Sequence, residues 1–164
     1  MPPTNEIIIG VDPGFGRCGY GVIVMTLQGI RFISAGCIET SAMGTHPARL
    51  GHIHDALTRV VRETKPSTFS IEKLFFAQNT STALGVAESR GVALLVAHTH
   101  TIPVREFTPL EVKMAMTGYG RATKPQVKSM VSRILGLSKL PASDDAIDAL
   151  AIAITAAHTR VIHK

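Results

Sequence analysis

The chain has no tryptophan, only two cysteines and 5% aromatic residues, and charged residues make up just 18% of its 164 positions. Cys18 and Cys37 are too few for a disulfide framework and lack metal-ligand spacing, which suits a reducing compartment. Long apolar runs are missing too: Val92 to Ala97 and Ala149 to Ile154 fall far short of the roughly 18 residues of a membrane helix. The opening MPPTNEIIIG carries Glu6 and no basic stretch, so it does not read as a secretory signal. A soluble, cytoplasmic protein with no membrane partner is the expectation. The 45% of hydrophobic residues, with 14 Gly and 9 Pro spread along the chain, exclude a disordered or low-complexity polymer. One domain over residues 1–164 is the simplest organisation for this length.

Acidic residues are absent from one long stretch. Between Val112 and Ser143 there are six basic residues (Lys113, Arg121, Lys124, Lys128, Arg133 and Lys139) and no carboxylate, so this stretch alone exceeds the net charge of +5. Asp144, Asp145 and Asp148 follow at once. Either feature alone reads as a solvated helix face or an acidic helix start. Side by side, they suit a metal-dependent enzyme acting on a polyphosphate.

The patterning predicts an α/β fold. Ile7 to Val11, Tyr20 to Leu27 and Ile30 to Ile38 are β-branched runs, the last two joined at Gln28-Gly29, and predict three sequential antiparallel strands. Leu50, Ile53, Leu57, Val60 and Val61 then recur at helical spacing over 46–64, with Pro47 in the first turn. A fourth strand at Thr68 to Glu72, an Ala-rich helix over 80–97 and a short strand at Pro103 to Phe107 follow. The remainder reads as helical. Thr123 and Gln126 match a capping box ahead of Val127, Met130, Val131, Ile134 and Leu135, and Ser143 caps a last helix. This is the order of the ribonuclease H-like fold, a five-stranded mixed sheet with helices on both faces.

Gly14, Gly16 and Gly19 spell G-x-G-x-x-G, but they lead into a β-branched run and not the helix a dinucleotide fingerprint requires; a tight hairpin turn fits better. Asp12 ends the first strand and Glu72 the fourth, so if those strands are parallel neighbours the two carboxylates lie side by side. Asp145 and Asp148, three apart, share one face of the last helix. Four converging carboxylates raise one another's pKa unless cations lie between them. Hard oxygen donors without His or Cys favour Mg²⁺ or Mn²⁺, and two such ions about 4 Å apart can activate water and stabilise a departing 3′ oxygen. The pairs His52 with His54 and His98 with His100 do not face each other on helices and read as surface residues. Phe75 and Phe76, just after Glu72, are candidates for stacking on an unpaired base.

Several segments are similar to those of the RuvC family of bacterial Holliday-junction resolvases: GVDPG and GYGVI within 10–23, IEKLFFAQN at 71–79, ESRGVA at 88–93, Val112-Lys113, GYGRATKPQV at 118–127 and DDAIDALAIAIT at 144–155. The resemblance is colinear from Ile8 to His158. It implies a homodimeric, Mg²⁺-dependent endonuclease that cuts two strands of like polarity across a four-way DNA junction and leaves 5′-phosphates. Asp12, Glu72, Asp145 and Asp148 match the catalytic metal-binding acids, Phe75 the aromatic that stacks on a junction base, and Lys113 and Lys124 two basic residues near the scissile phosphate. Lys128 and Arg133 are expected to meet phosphates. RuvA and RuvB, the branch-migration proteins, are the implied partners. Cys18 stands where many members have Thr, Phe76 is an added aromatic and Asp144 an added acid. A non-catalytic junction-binding protein is the alternative; an actin-like nucleotide binder would need a second lobe.

Overall fold

A computed structural model describes residues 5–74 and 80–159. Three antiparallel strands, β1 (Glu6–Asp12), β2 (Arg17–Thr26) and β3 (Gly29–Glu39), precede helix α1 (His46–Thr64), strand β4 (Thr68–Glu72), helix α2 (Thr80–Thr99) and strand β5 (Val104–Phe107). Helices α3 (Pro109–Thr117), α4 (Lys124–Leu135) and α5 (Asp144–His158) close the chain. The strands lie in the order β3-β2-β1-β4-β5, with β1 parallel to β4 and β4 parallel to β5, so the sheet is mixed as expected.

The helices begin and end where local chemistry directs. Thr45, Thr108, Thr123 and Ser143 each accept a backbone N–H in the first turn of the helix they precede, and Gly118 and Gly136 end α3 and α4 in the left-handed conformation. The helical tail holds one element more than the two capped starts at 123 and 143 indicate. Helix α3 has its own capping box, Thr108 with Glu111, a T-x-x-E signal legible in the sequence. Strand β2 begins three residues before Tyr20, because pairing with β3 continues to Arg17 opposite Glu39, beyond the last β1 pair at Gly19.

Alternation along the strands divides the residues between two faces. Ile9 and Val11 of β1, Phe69 and Ile71 of β4, and Cys18 and Val22 of β2 pack against α1 and α2. Ile8 of β1, Ile23 of β2 and Phe107 of β5 pack against α3, α4 and α5. Both faces are thus covered. Helix α5 is buried along most of its length, from Ala146 through Ala157, since it lies between the sheet and the α3–α4 pair. Burial of Ile147, Leu150, Ile152 and Ile154 contributes about 1.5–3 kcal/mol each.

A carboxylate site at the ends of two parallel strands

The same alternation that buries Ile8 and Thr68 places Asp12 and Glu72 on the α5 face, at the carboxyl ends of β1 and β4. The parallel register pairs Val11 with Ile71, so the next residues, Asp12 and Glu72, are neighbours. Helix α5 then crosses directly over the backbone of β1 and β2. A Cβ on Gly10 would stand 2.1 Å from the Ala149 carbonyl oxygen, and one on Gly19 would stand 2.0 Å from that of Asp145. Only glycine allows this approach, which carries the acidic first turn of α5 to the strand ends.

Asp12, Glu72 and Asp148 line one cavity of about 360 Å³ together with Lys113 and Lys124, over an apolar floor that includes Val112 and Val127. Burial pushes the Asp12 carboxyl up to about 8, with Glu72, Asp148 and Asp145 adding repulsion and Lys124 opposing it. Glu72 is raised as well, by burial first and then by Asp148. Lys124 Nζ donates to Asp148 Oδ2 at 3.1 Å, and that bond holds the ammonium in its charged form.

Asp145 sits at the side of this group. Its Oδ2 accepts from Arg17 Nε at 2.7 Å and lies 3.4 Å from the Ser143 hydroxyl and 3.7 Å from Cys37 Sγ. Arg17 also donates to Glu39 at 2.8 Å. Two of the four acids are therefore held by cations of the chain itself. Among the described residues, no three His, Cys, Asp or Glu side chains stand as a ready-made metal centre. The donor set nevertheless fits a hard divalent cation: the donors are carboxylate oxygens, and Asp12 is buried among like charges that either a proton or a cation relieves.

Asp144, next to Asp145 in the chain, points away to α4 and accepts from Lys128 Nζ at 2.6 Å. Arg133 lies in the last turn of α4, distant along the helix from Lys124. Phe75 and Phe76 lie outside the described residues, in the segment between β4 and α2. His54 bonds Asp55 and His100 the Val96 carbonyl, in keeping with a structural role for both. Sequence reasoning passed over Arg17. Its signal is parity: it lies on β2 two residues before Gly19, hence on the face of Asp12.

A family profile described as "Crossover junction endodeoxyribonuclease RuvC" matches residues 8–156. Among curated proteins, the crossover junction endodeoxyribonuclease RuvC of Pseudothermotoga lettingae is 46% identical over 147 residues, covering 90% of this chain and 91% of that one. The protein of the same description from Rubrobacter xylanophilus is 44% identical over 151 residues, covering 92% and 84%. Among solved structures, that of Thermus thermophilus RuvC in complex with Holliday junction substrate superposes with a TM-score of 0.88 at 33% identity, covering 93% of each chain. The fold shared with that structure is ribonuclease H-like.

Proposed function

The chain belongs to the RuvC family of crossover junction endodeoxyribonucleases, and from that membership we propose that it resolves four-way DNA junctions by hydrolysing phosphodiesters at the Asp12–Glu72–Asp148 cavity, with Asp145 as the fourth acid. The observation that carries the site is the register of β1 and β4, which sets Asp12 beside Glu72 on the face covered by α5. Mg²⁺, two ions per site, is the cofactor this oxygen-only donor set favours, with Mn²⁺ able to replace it. Bound there, the metal supplies Lewis-acid stabilisation of charge on phosphate oxygens and lowers the pKa of a water.

The chain's own residues do the rest. Asp12, Glu72, Asp145 and Asp148 would hold the metal, and the repulsion among them makes the site receptive to cations. Lys124, which lines the cavity and bonds Asp148, would bring positive charge to the scissile phosphate, with Lys113 in the same lining. Lys128 and Arg133 continue the basic surface of α4 along the DNA backbone. Phe75, three residues past Glu72, stacks on a junction base. A homodimer suits a target of twofold symmetry, since two equivalent sites meet two strands of like polarity. RuvA and RuvB are the partners in this proposal, the cytoplasm its compartment, and residues 1–164 one catalytic unit.

The test is cleavage of a mobile four-way junction by the purified protein in Mg²⁺. Asp12→Asn and Glu72→Gln are expected to abolish nicking while junction binding in a gel-shift assay survives. Continued cutting by both variants would remove the assigned site. No cutting by the wild type, with binding intact, would favour a non-catalytic junction-binding protein.

A further inference from the structure

The ladder between β1 and β4 runs from Ile8 opposite Thr68 to Val11 opposite Ile71. It stops one residue short of the two carboxylates. Each end is held on its outer side, Asp12 opposite Gly19 of β2 and Glu72 opposite Phe107 of β5, but the ladder does not join the two ends to each other, and metal ligands must be held to within a fraction of an ångström. The tie comes from the back of the sheet. Ser89 of α2 is fully buried, and its hydroxyl donates to the Gly14 carbonyl at 3.0 Å, two residues past Asp12. The next residue, Arg90, donates from Nε to the Glu72 carbonyl at 3.1 Å.

Only 17% of the Arg90 side chain is exposed, and its guanidinium is fixed in turn by Glu106 of β5. Both acceptors are backbone carbonyls, so these bonds do not engage the Asp12 and Glu72 carboxylates, which lie toward the opposite face. Neighbouring residues of one helix therefore grip the last residue of β4 and the turn just past the end of β1.

We infer that Ser89 and Arg90 are positioning residues which set the spacing of Asp12 and Glu72, and hence the metal affinity of the site, through the two carbonyl bonds from α2. This rests on the reading of Asp12 and Glu72 as metal ligands. The hydrogen bond from Ser70 Oγ to the Ile9 carbonyl, 2.9 Å, supplies an internal control: it too ends on a backbone carbonyl and is if anything more buried, but it joins β4 to β1 directly and in mid-sheet. A merely structural role predicts that all three bonds behave alike. A brace on the strand ends predicts that only those from α2 affect metal.

The experiment measures Mn²⁺ binding to the full chain by electron paramagnetic resonance of free Mn²⁺, alongside the metal concentration for half-maximal junction cleavage and the thermal midpoint. Ser89→Ala and Arg90→Met are each expected to weaken Mn²⁺ binding about tenfold and to raise the metal requirement in parallel, the size typical of losing support behind a metal ligand. Arg90→Lys should fall between Arg90→Met and the wild type. Ser70→Ala should lower the thermal midpoint by a similar amount and leave Mn²⁺ binding within twofold. Should Arg90→Met not fold, Arg90→Lys and Ser89→Ala carry the comparison. Unchanged Mn²⁺ binding in the α2 variants, or an equal loss in Ser70→Ala, overturns the inference. Glu72→Gln separates the two levels of argument: if it too binds Mn²⁺ like the wild type, the ligand assignment has failed, whereas if it loses binding and the α2 variants do not, only the brace has.

Discussion

The two faces of the sheet are made from alternate residues of the same strands, and they have opposite characters. Toward α1 and α2, Ile9, Val11, Val22, Phe69 and Ile71 form a sealed apolar layer with Ile53 and Leu57. Toward α5, the corresponding positions run from Ile8 through Gly10 to Asp12 on β1, and from Thr68 through Ser70 to Glu72 on β4. One face gains stability by filling space. The other thins to glycine and small polar residues so that a helix comes close enough to complete a site. Period-two alternation lets one strand serve both ends, because successive side chains point to opposite faces and each face takes its own residue types.

The first way to break this contrast is at the carboxylates of α5, where the largest effect is expected. Asp148 lies in the cavity with Asp12 and Glu72, whereas Asp144 pairs with Lys128 outside it. Asp148→Asn should lower junction cleavage about 10³-fold, some 4 kcal/mol of transition-state stabilisation, and Asp144→Asn less than about threefold. Single-turnover rates on a pre-bound junction measure both. The reverse ranking would shift the helical ligand by one turn position.

A second comparison sets backbone proximity against packing. Gly19→Ala forces a Cβ onto the carbonyl of Asp145, and Gly10→Ala forces one onto that of Ala149. Backbone cannot yield as a side-chain tip can, so each should cost about 3 kcal/mol and displace α5 from the strand ends. Ile9→Val, on the opposite face, should cost about 1 kcal/mol. Thermal midpoints rank the three. The sharper measurement is the cleavage rate of the folded fraction, which should fall with either glycine variant and stay put with Ile9→Val.

The third concerns proton linkage on the carboxylate-bearing face. Burial, with Glu72 and Asp148 close by, pushes the Asp12 carboxyl of the folded, metal-free protein up to about 8 from its ordinary 3.8. The native state thus binds more protons than the unfolded chain between those pH values, and stability falls as pH rises from about 4 to about 8, then levels. The cost at the alkaline end is of the order of a few kcal/mol. Asp12→Asn removes it. The variant should be inactive yet melt about 5 °C higher than the metal-free wild type at pH 8, with the gap closing toward pH 4. Circular dichroism suits the measurement, the chain having no tryptophan. A gap independent of pH would show that the carboxyl is not strained.

Much of this arrangement was legible beforehand, and the reason differs by residue. Asp12 and Glu72 announce themselves because each ends a β-branched run, and strand ends are where a sheet releases side chains into a crevice. Asp148 follows from helical spacing. The roles of Gly10 and Gly19 were not legible, since a glycine says that something approaches but not what. Arg17 and the α2 pair Ser89-Arg90 escaped for a related reason. Their partners are 128, 75 and 18 residues away in sequence, and two of the three acceptors are backbone carbonyls, which leave no trace in residue identity. Asp145 could be placed on a helix face, but not given the Arg17 partner that draws its carboxylate aside.

The smallest effect expected lies at the edge of the carboxylate-bearing face, where α4 meets α5. Lys124 and Lys128 are one turn apart and pair with Asp148 and Asp144, also one turn apart, so the two ion pairs form a short ladder between helices. Only the first rung is inside the cavity. Lys124→Ala should slow cleavage of the bound junction about tenfold and alter binding little. Lys128→Ala should leave the bound rate unchanged and weaken binding, but by less than a full phosphate contact, because Asp144 already offsets part of its charge. Removing that acid should act in the opposite direction. With Asp144→Asn, the ammonium of Lys128 is released to the DNA, so junction affinity at low salt should rise about twofold and the salt dependence should steepen by a fraction of one counterion. The double variant Lys128→Ala with Asp144→Asn should bind like Lys128→Ala alone, since the acid then has no cation to withhold. A gain in affinity that persists in the double variant would mean that Asp144 repels the junction directly and that the ladder ends at its first rung.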